Sequence, residues 1–309
     1  MELVAALDIG ASWTRVAAAR PSGELLAYHT YPTPRDADEI QRLISNSLNI
    51  LKSEVSVSEF RAVGIASVGP LSARDGMILG APNIGGVRVS VGDAVKRVHD
   101  GLIVMLNDCN AAVLGERIFG AGRGARNIAY VTISTGIGGG AIVDGTLLLG
   151  KDGNAAEVGH TVVDYKYNVK CGCGGYGHWE SFCSGRGLLR LARLVLGSKY
   201  ARKWRKPEQL FTDARRRDKR ALKLLEEVAK INAAGFANVI NSFDPEIMTI
   251  GGSVALNNTS LVIDWAVRYL RRYILNRPPI IMPTPLGEKA PLMGAVAAAL
   301  NPIEEAIVR

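Results

Sequence analysis

The sequence predicts an α/β fold built from two related halves. Residues 3–20 form an apolar run, a glycine-bearing turn and a second apolar run, which is typical of strand, turn and strand. The same pattern returns over residues 126–150, and segments with helical spacing follow each hairpin. Because the two hairpins lie far apart in the chain, they indicate an internally duplicated fold.

The other elements follow from the spacing of apolar residues. In the first half we expect a third strand over 23–33, a helix over 36–52, a buried strand with a glycine loop over 60–72, and a strand, polar turn and helix over 101–120. One side of the first helix carries Ile40, Leu43, Ile44, Leu48 and Leu51. In the second half we expect mainly helix over 184–243, a strand with a glycine turn over 246–255, and helices over 260–275 and 291–300.

The length of 309 residues suggests two domains, at ~100–200 residues for each. We expect a small α/β domain over 1–106 and a large α/β domain over 107–290. The C-terminal segment, 291–309, begins with a helix of small residues that suits close packing on a sheet, so we expect it to return to the small domain.

Composition limits the classes of protein. Hydrophobic residues make up 48% and charged residues 21%, which is typical of a soluble globular protein. The N-terminus lacks a signal peptide pattern, and no apolar segment reaches the ~18–20 residues of a membrane helix. We therefore predict a cytoplasmic protein with no membrane partner. Much of the net charge of +8 lies in residues 202–220, which also hold acids and a proline, so we interpret them as a solvated helical surface and expect no nucleic-acid partner.

Three glycine turns follow apolar strands: DIGASWT at 8–14, STGIGGG at 134–140 and GGSVA at 251–255. Such turns expose backbone N–H groups to an anion, although each alone is equally consistent with a simple hairpin turn. The chain has no GxxxxGK[ST] motif, and STGIGGG leads into a strand rather than a helix, which excludes the two common nucleotide motifs. Glycine turns between strands, repeated in two halves, resemble the sugar kinase and actin-like ATPase fold.

Further motifs in register narrow this resemblance. They are GIASVGPL at 64–71, NDCNAAVLGE at 107–116, EVGH at 157–160 and CGCGGYGHWE at 171–180, beside the three glycine turns. With them the sequence resembles the ROK family of repressors, open reading frames and kinases, in particular its broad-specificity ATP-dependent hexokinases and glucokinases. The resemblance implies a two-domain actin-like ATPase (ribonuclease H-like) fold with a cleft between the domains, which close around the sugar.

The resemblance also implies roles for individual residues. The catalytic base would be Asp108. Sugar-binding positions would be Asn83, Asn107, Asp108, Glu157, His160 and Glu180. ATP-binding positions would be Asp8, Gly10, Ala11 and Thr14 in the first phosphate turn, Thr135, Gly136 and Gly138 in the second, and Gly251, Gly252 and Ser253 at the adenosine. Asp8 would hold Mg²⁺, directly or through water, and a homodimer is common in the family.

The position of Asp108 allows two interpretations. It follows the apolar strand GLIVML and precedes a helix, where α/β sheets place ligands and where an aspartate also caps a helix well. The chemistry favours the catalytic role once the motifs are considered together. A sugar hydroxyl that attacks a phosphate must lose its proton, and a hydrogen-bonded aspartate can accept it.

The four cysteines are Cys109, Cys171, Cys173 and Cys183, and their grouping does not fit a secreted disulfide framework. The resemblance implies that a CxCGxxGC segment binds zinc together with the histidine of EVGH. Here His178 stands where the family has its third cysteine, which leaves His160, Cys171, Cys173 and His178 as a Cys₂His₂ set suited to zinc. A metal-free loop and a redox pair remain alternatives, although a CxC disulfide would be strained.

The expected function is an ATP-dependent hexokinase that phosphorylates the 6-hydroxyl of glucose and related hexoses. A kinase for an N-acetylated amino sugar such as N-acetylglucosamine or N-acetylmannosamine is an alternative, because the same residues would hold the ring hydroxyls. A sugar-responsive repressor is disfavoured, because the first phosphate turn begins at Asp8 and leaves no space for a helix-turn-helix domain before it.

Overall fold

The structure is a computed structural model that describes residues 2–81 and 84–309, with the side chains of all of these except residues 200 and 201. Its strands are β1 (Val4–Ile9), β2 (Trp13–Ala19), β3 (Leu25–Pro32), β4 (Ala62–Ser67), β5 (Leu71–Ser72), β6 (Met77–Leu79), β7 (Arg88–Ser90), β8 (Leu102–Asn107), β9 (Ile128–Ile133), β10 (Ile137–Val143), β11 (Thr146–Leu147), β12 (Ile247–Gly251) and β13 (Ile280–Pro283).

The helices are α1 (Ala37–Glu54), α2 (Val91–Lys96), α3 (Asp108–Phe119), α4 (Glu180–Cys183), α5 (Gly185–Leu196), α6 (Ser198–Ala201), α7 (Pro207–Arg215), α8 (Lys219–Phe243), α9 (Ser253–Leu256), α10 (Trp265–Leu270) and α11 (Ala290–Leu300). A π-helical turn, Ser260–Asp264, precedes α10, so the helix expected over 260–275 is shorter and begins irregularly. Within the described residues, no helix is both long and apolar enough to cross a membrane.

Two five-stranded sheets confirm the predicted duplication. Their strand orders are β3–β2–β1–β4–β8 and β11–β10–β9–β12–β13. In each sheet a hairpin of antiparallel strands is followed by two parallel strands: β1 pairs with β2 and then β4, and β9 pairs with β10 and then β12. The glycine turns of both hairpins therefore occupy equivalent positions in their own sheets.

The first compact unit comprises residues 1–124, 146–155 and 289–309. One face of its sheet packs on α1, which buries Ile40, Ile44, Leu48 and Leu51, four of the five apolar residues expected on its inner side. The other face packs on α11. A side chain at Gly294 would overlap the carbonyl oxygen of Ala111, so the absence of a side chain lets α11 and α3 approach closely.

The second compact unit comprises residues 125–145 and 156–288. The long helix α8 runs through its core, where the ring of Phe236 packs edge-on against Trp179 at 5.6 Å between centroids. The indole Nε1 of Trp179 donates to Asn232 Oδ1 at 2.8 Å, which satisfies a polar group in the core. The residue after this buried anchor is Glu180, the first residue of α4.

The compact units divide the chain elsewhere than at the predicted boundary between residues 106 and 107. The helix that starts at Asp108 belongs to the first unit, because it packs against α11. Residues 146–155 also join that unit. The amphipathic pattern around residue 107 indicates that a helix begins there. The spacing of apolar residues does not indicate which distant helix will pack against this helix.

Candidate active site

The first phosphate turn connects β1 to β2, and its shape is held by hydrogen bonds within the first unit. The backbone N–H of Gly10 donates to the carbonyl of Trp13 at 3.0 Å. The buried hydroxyl of Thr14 lies 3.0 Å from that of Thr33, and Thr33 Oγ1 donates to the carbonyl of Gly10 at 2.8 Å. Thr14 thus supports the turn from its buried side, through Thr33. Ala11 is half-buried and Ser12 is exposed at the tip of the turn.

Asp8 lies at the end of β1 with its carboxylate almost fully enclosed. Burial raises the pKa of Asp8 to about 7, the adjacent guanidinium of Arg15 opposes this shift, and the negative charge of Asp108 adds to it. Arg15 Nη1 lies 3.1 Å from Asp8 Oδ2, because the two residues are direct neighbours across the β1–β2 pair. A cation beside this carboxylate would favour its charged form.

Asn107 and Asp108 lie where β8 ends and α3 begins. Ile9, Ser67 and Asn107 are neighbours across β1, β4 and β8, so the carboxyl ends of three parallel strands meet at this edge. Asn107 is the N-cap of α3, and its side-chain oxygen accepts from the N–H of Cys109 at 2.9 Å. Asp108 is the first helical residue and is half-buried. The N-cap of α3 is thus Asn107, and Asp108 Oδ1 also accepts the N–H of Cys109, at 2.8 Å, so both side chains contact the first turn of the helix.

The second phosphate turn, residues 134–136, connects β9 to β10 in the second unit. The N–H of Ser134 donates to the carbonyl of Gly136 at 2.8 Å, and Thr135 is exposed at the tip. Gly138 lies just beyond the turn in β10.

The segment predicted to bind adenosine, residues 251–253, lies against this turn. Ser253 Oγ is 3.2 Å from Ser134 Oγ. Gly252 has φ of 85°, and a side chain there would press on the carbonyl of Ile133. The structure therefore brings two of the three glycine turns together, with glycine required at 252 by both backbone conformation and space.

Three predicted sugar-binding residues group together in the second unit. His160 Nε2 lies 3.8 Å from Glu157 Oε2. The pKa of Glu157 is raised because the surrounding protein partly excludes water, the positive form of His160 opposes this, and the charge of Glu180 adds to it. Of the remaining sugar positions, Asn107 and Asp108 belong to the first unit, and Asn83 lies outside the described residues.

The four candidate metal ligands converge in the second unit. The ligand atoms of His160, Cys171, Cys173 and His178 all lie within 4.8 Å of one another. His178 Nδ1 is 3.3 Å from both Cys173 Sγ and His160 Nδ1, and Cys171 Sγ is 3.8 Å from His160 Nδ1. All four cysteines of the chain are free thiols, and Cys183 is buried beside α8, with its thiol directed at the carbonyl of Val228.

These distances fit one tetrahedral zinc ion. With Zn–N and Zn–S bonds of about 2.0–2.3 Å, neighbouring ligand atoms lie about 3.3–3.8 Å apart. Burial and the nearby His160 lower the pKa of His178, which favours the neutral imidazole that binds a metal. His178 therefore lies within 4.8 Å of the ligand atoms of the other three residues.

Two contacts of the site are not predicted by the sequence pattern. Arg15 faces Asp8, and the backbone N–H of Ile137 donates to Glu180 at 2.9 Å. The first could have been found from the alternation of β2, because a residue opposite Asp8 on the neighbouring strand shares its face. The second joins residues that are 43 apart in the chain, and no local pattern reports it.

Comparison with known proteins agrees with this fold. The family model described as ROK family matches residues 4–301, and the chain belongs to this family. The chain is 36% identical to a glucokinase of Pyrobaculum calidifontis, with 95% of this chain and 93% of that protein covered. It is 35% identical to a glucokinase of Aeropyrum pernix, with 99% of each chain covered.

Two solved structures are similar to the whole chain. A ROK hexokinase from Thermus thermophilus has a TM-score of 0.84 and 30% identity, covering 96% of this chain and 97% of that one. A ROK family glucokinase from Streptomyces griseus, in complex with glucose and AMPPNP, has a TM-score of 0.78 and 31% identity, covering 96% and 99%. The fold is therefore that of the ROK sugar kinases, as the sequence predicted.

Proposed function

We propose that this protein is an ATP-dependent hexokinase that transfers the γ-phosphate of ATP to the 6-hydroxyl of glucose and related hexoses. The observation that carries this proposal is the pairing of Asn107 as helix cap with Asp108 as the half-buried carboxylate beside it. The N-cap position is filled by Asn107, and the carboxylate of Asp108 can accept a proton, which an amide cannot. The glucokinases at 36% and 35% identity support the same reaction.

In the proposed reaction, Asp108 accepts the proton of the attacking sugar hydroxyl as the oxygen bonds to phosphorus and the bond to ADP breaks. Positioning and charge neutralisation supply most of the catalysis in such a transfer. Asn83, Asn107, Glu157, His160 and Glu180 are proposed to bind the sugar, since amides, carboxylates and imidazole suit a ring of hydroxyls.

For the nucleotide, the two phosphate turns offer backbone N–H groups to the phosphates. We assign Gly10, Ala11 and Thr14 to the first turn, Thr135, Gly136 and Gly138 to the second, and Gly251, Gly252 and Ser253 to the adenosine. Asp8 is proposed to hold Mg²⁺, directly or through water, and Mg²⁺ when bound neutralises charge on the phosphate oxygens.

We further propose a structural zinc site formed by His160, Cys171, Cys173 and His178. Elemental analysis of untagged protein should find about one zinc per chain, because the ligand atoms lie within 4.8 Å of one another. Cys171→Ser should remove most of the zinc and lower the melting temperature. Cys183→Ala is the matched control, since Cys183 lies outside the cluster and should leave the zinc content unchanged. A metal-free wild type with full activity would refute the proposed site.

A substrate panel tests the proposed reaction. Glucose, mannose, fructose, glucosamine, N-acetylglucosamine and N-acetylmannosamine would each be assayed with ATP, with ADP and polyphosphate as other donors. Turnover of glucose with ATP is the expected result. Turnover restricted to N-acetylated sugars would establish the alternative kinase, and sugar binding without turnover would favour a sensor derived from a repressor. The family resemblance also leads us to propose a homodimer, which light scattering would test.

A further inference from the structure

Glu180 contacts the second phosphate turn directly. Its Oε2 accepts the backbone N–H of Ile137, the first residue of β10, at 2.9 Å. The same oxygen lies so close to Gly136 that a side chain there would overlap it. The carboxylate of a proposed sugar ligand is thus in contact with residues of the turn proposed to hold ATP phosphates.

The position of this carboxylate is itself well fixed. Trp179, the preceding residue, is fully buried and bonded through its indole to Asn232 at 2.8 Å. Glu180 Oε1 lies 3.7 Å from Cys171 Sγ, so the carboxylate is flanked on its other side by the cysteine loop. A rigid anchor on one side and the loop on the other leave the carboxylate little freedom to follow the turn if the turn moves.

The turn is supported at two further points. The N–H of Gly185, at the start of α5, donates to the carbonyl of Ser134 at 2.8 Å, and Ser253 Oγ lies 3.2 Å from Ser134 Oγ. Both of these contacts involve Ser134, at the beginning of the turn. Glu180 supports its other end, where Gly136 and Ile137 lie.

We propose that Glu180 is a positioning residue for the second phosphate turn, in addition to the sugar-binding role under the proposed function on which this inference rests. A hydrogen bond to a charged acceptor is stronger than one between neutral groups, so its loss should loosen the turn. Because one carboxylate serves both the sugar and the turn, the affinities for sugar and for nucleotide are linked, and linkage of binding free energies is reciprocal.

The test measures binding of AMPPNP with Mg²⁺ by calorimetry in the absence of sugar. Glu180→Ala should weaken AMPPNP binding about tenfold, or about 1.4 kcal/mol. Glu180→Gln, whose neutral amide oxygen can still accept the N–H of Ile137, should bind AMPPNP more tightly than Glu180→Ala and less tightly than wild type. Glu157→Ala is the matched control: it removes another proposed sugar ligand, which is not part of the turn, so it should weaken glucose binding and leave AMPPNP binding unchanged.

An unchanged AMPPNP affinity in Glu180→Ala, with glucose binding lost, would overturn the inference and leave Glu180 a sugar ligand alone. Wild-type protein that fails to bind AMPPNP would instead contradict the proposed function. If Glu180→Ala does not fold, Gly136→Ala replaces it, because the added side chain displaces the carboxylate. Gly136→Ala should then weaken glucose binding as well as AMPPNP binding, and normal glucose binding in that variant would overturn the inference.

Discussion

At the scale of single residues, the adjacent residues Asn107 and Asp108 are chemically similar but are assigned different roles in the site. Asn107 and Asp108 are both good helix caps by residue type, and the sequence alone leaves their roles open. The structure assigns the cap to Asn107, whose side chain accepts from Cys109, and makes Asp108 the first residue of the helix. Asp108 Oδ1 also accepts the N–H of Cys109, at 2.8 Å, so the start of the helix decides only which of the two residues is the N-cap.

We expect Asp108→Asn to lower kcat by about 10²–10⁴-fold, because the amide cannot accept the hydroxyl proton. The melting temperature should change little, since Asn107 retains the cap. Steady-state kinetics and thermal melting would measure the two effects. Asp100→Asn, an exposed change shortly before β8, is the control and should retain wild-type turnover. Near-normal turnover of Asp108→Asn would exclude Asp108 as the base.

At the scale of elements, apolar periodicity locates helices and strands well but not the details of their bonding. The helix expected over 36–52 is observed as Ala37–Glu54, with an aspartate cap at Asp36. The segment 260–275 has the same kind of pattern, yet Ser260–Asp264 forms a π-helical turn. Over a single turn, α-helical and π-helical hydrogen bonding place apolar side chains at similar spacings. The sequence pattern therefore cannot distinguish the two.

The cap of α8 gives a prediction for pH dependence. Asp218 Oδ1 accepts the N–H groups of Arg220 and Ala221 at 2.9 and 3.0 Å, and Lys203 pairs with Oδ2. The bond from Ala221 and the pairing with Lys203 lower the pKa of Asp218. A lowered pKa in the folded state means that the ionised form stabilises the fold at neutral pH, and this contribution is lost as the pH falls from the ordinary pKa of an aspartate through the lower folded-state pKa.

Asp218→Ala should therefore cost about 1 kcal/mol of unfolding free energy at pH 7. Asp218→Asn keeps an acceptor for the helix N–H groups and should cost less. Urea unfolding at pH 7 and pH 3 would measure both, and the advantage of wild type over Asp218→Asn should shrink at pH 3. An advantage that stays constant between the two pH values would show that the charge of Asp218 does not contribute.

At the scale of the whole molecule, positive charge is concentrated in one region of the second unit. Residues 202–220 contain nine basic and three acidic residues. Lys203 pairs with both Asp213, at 2.7 Å, and Asp218, at 3.0 Å, so two of the acids serve a single lysine. The same pairs bring the basic runs 202–206 and 215–220 together, which the sequence presents as separate.

We expect this region to give weak, salt-dependent retention on a heparin column. Retention should fall as salt rises, because the screening length shortens from about 10 Å at 0.1 M to about 3 Å at 1 M. The single variant Arg216→Glu, an exposed change in this region, should elute at clearly lower salt. Arg88→Glu, an exposed change in the first unit, should shift elution less. If Arg216→Glu and Arg88→Glu shift the elution salt concentration equally, retention on heparin depends only on net charge.

The sequence by itself determined the α/β class, the duplicated hairpins, the three glycine turns and the grouping of candidate ligands, because these depend on local spacing and residue type. Only the tertiary structure decided that α3 belongs with α11, that His178 lies 3.3 Å from Cys173 and His160, and that Glu180 contacts Ile137. Those contacts form because segments that are distant in the sequence pack together. Such packing produces no periodic pattern of residues from which the contacts could be predicted.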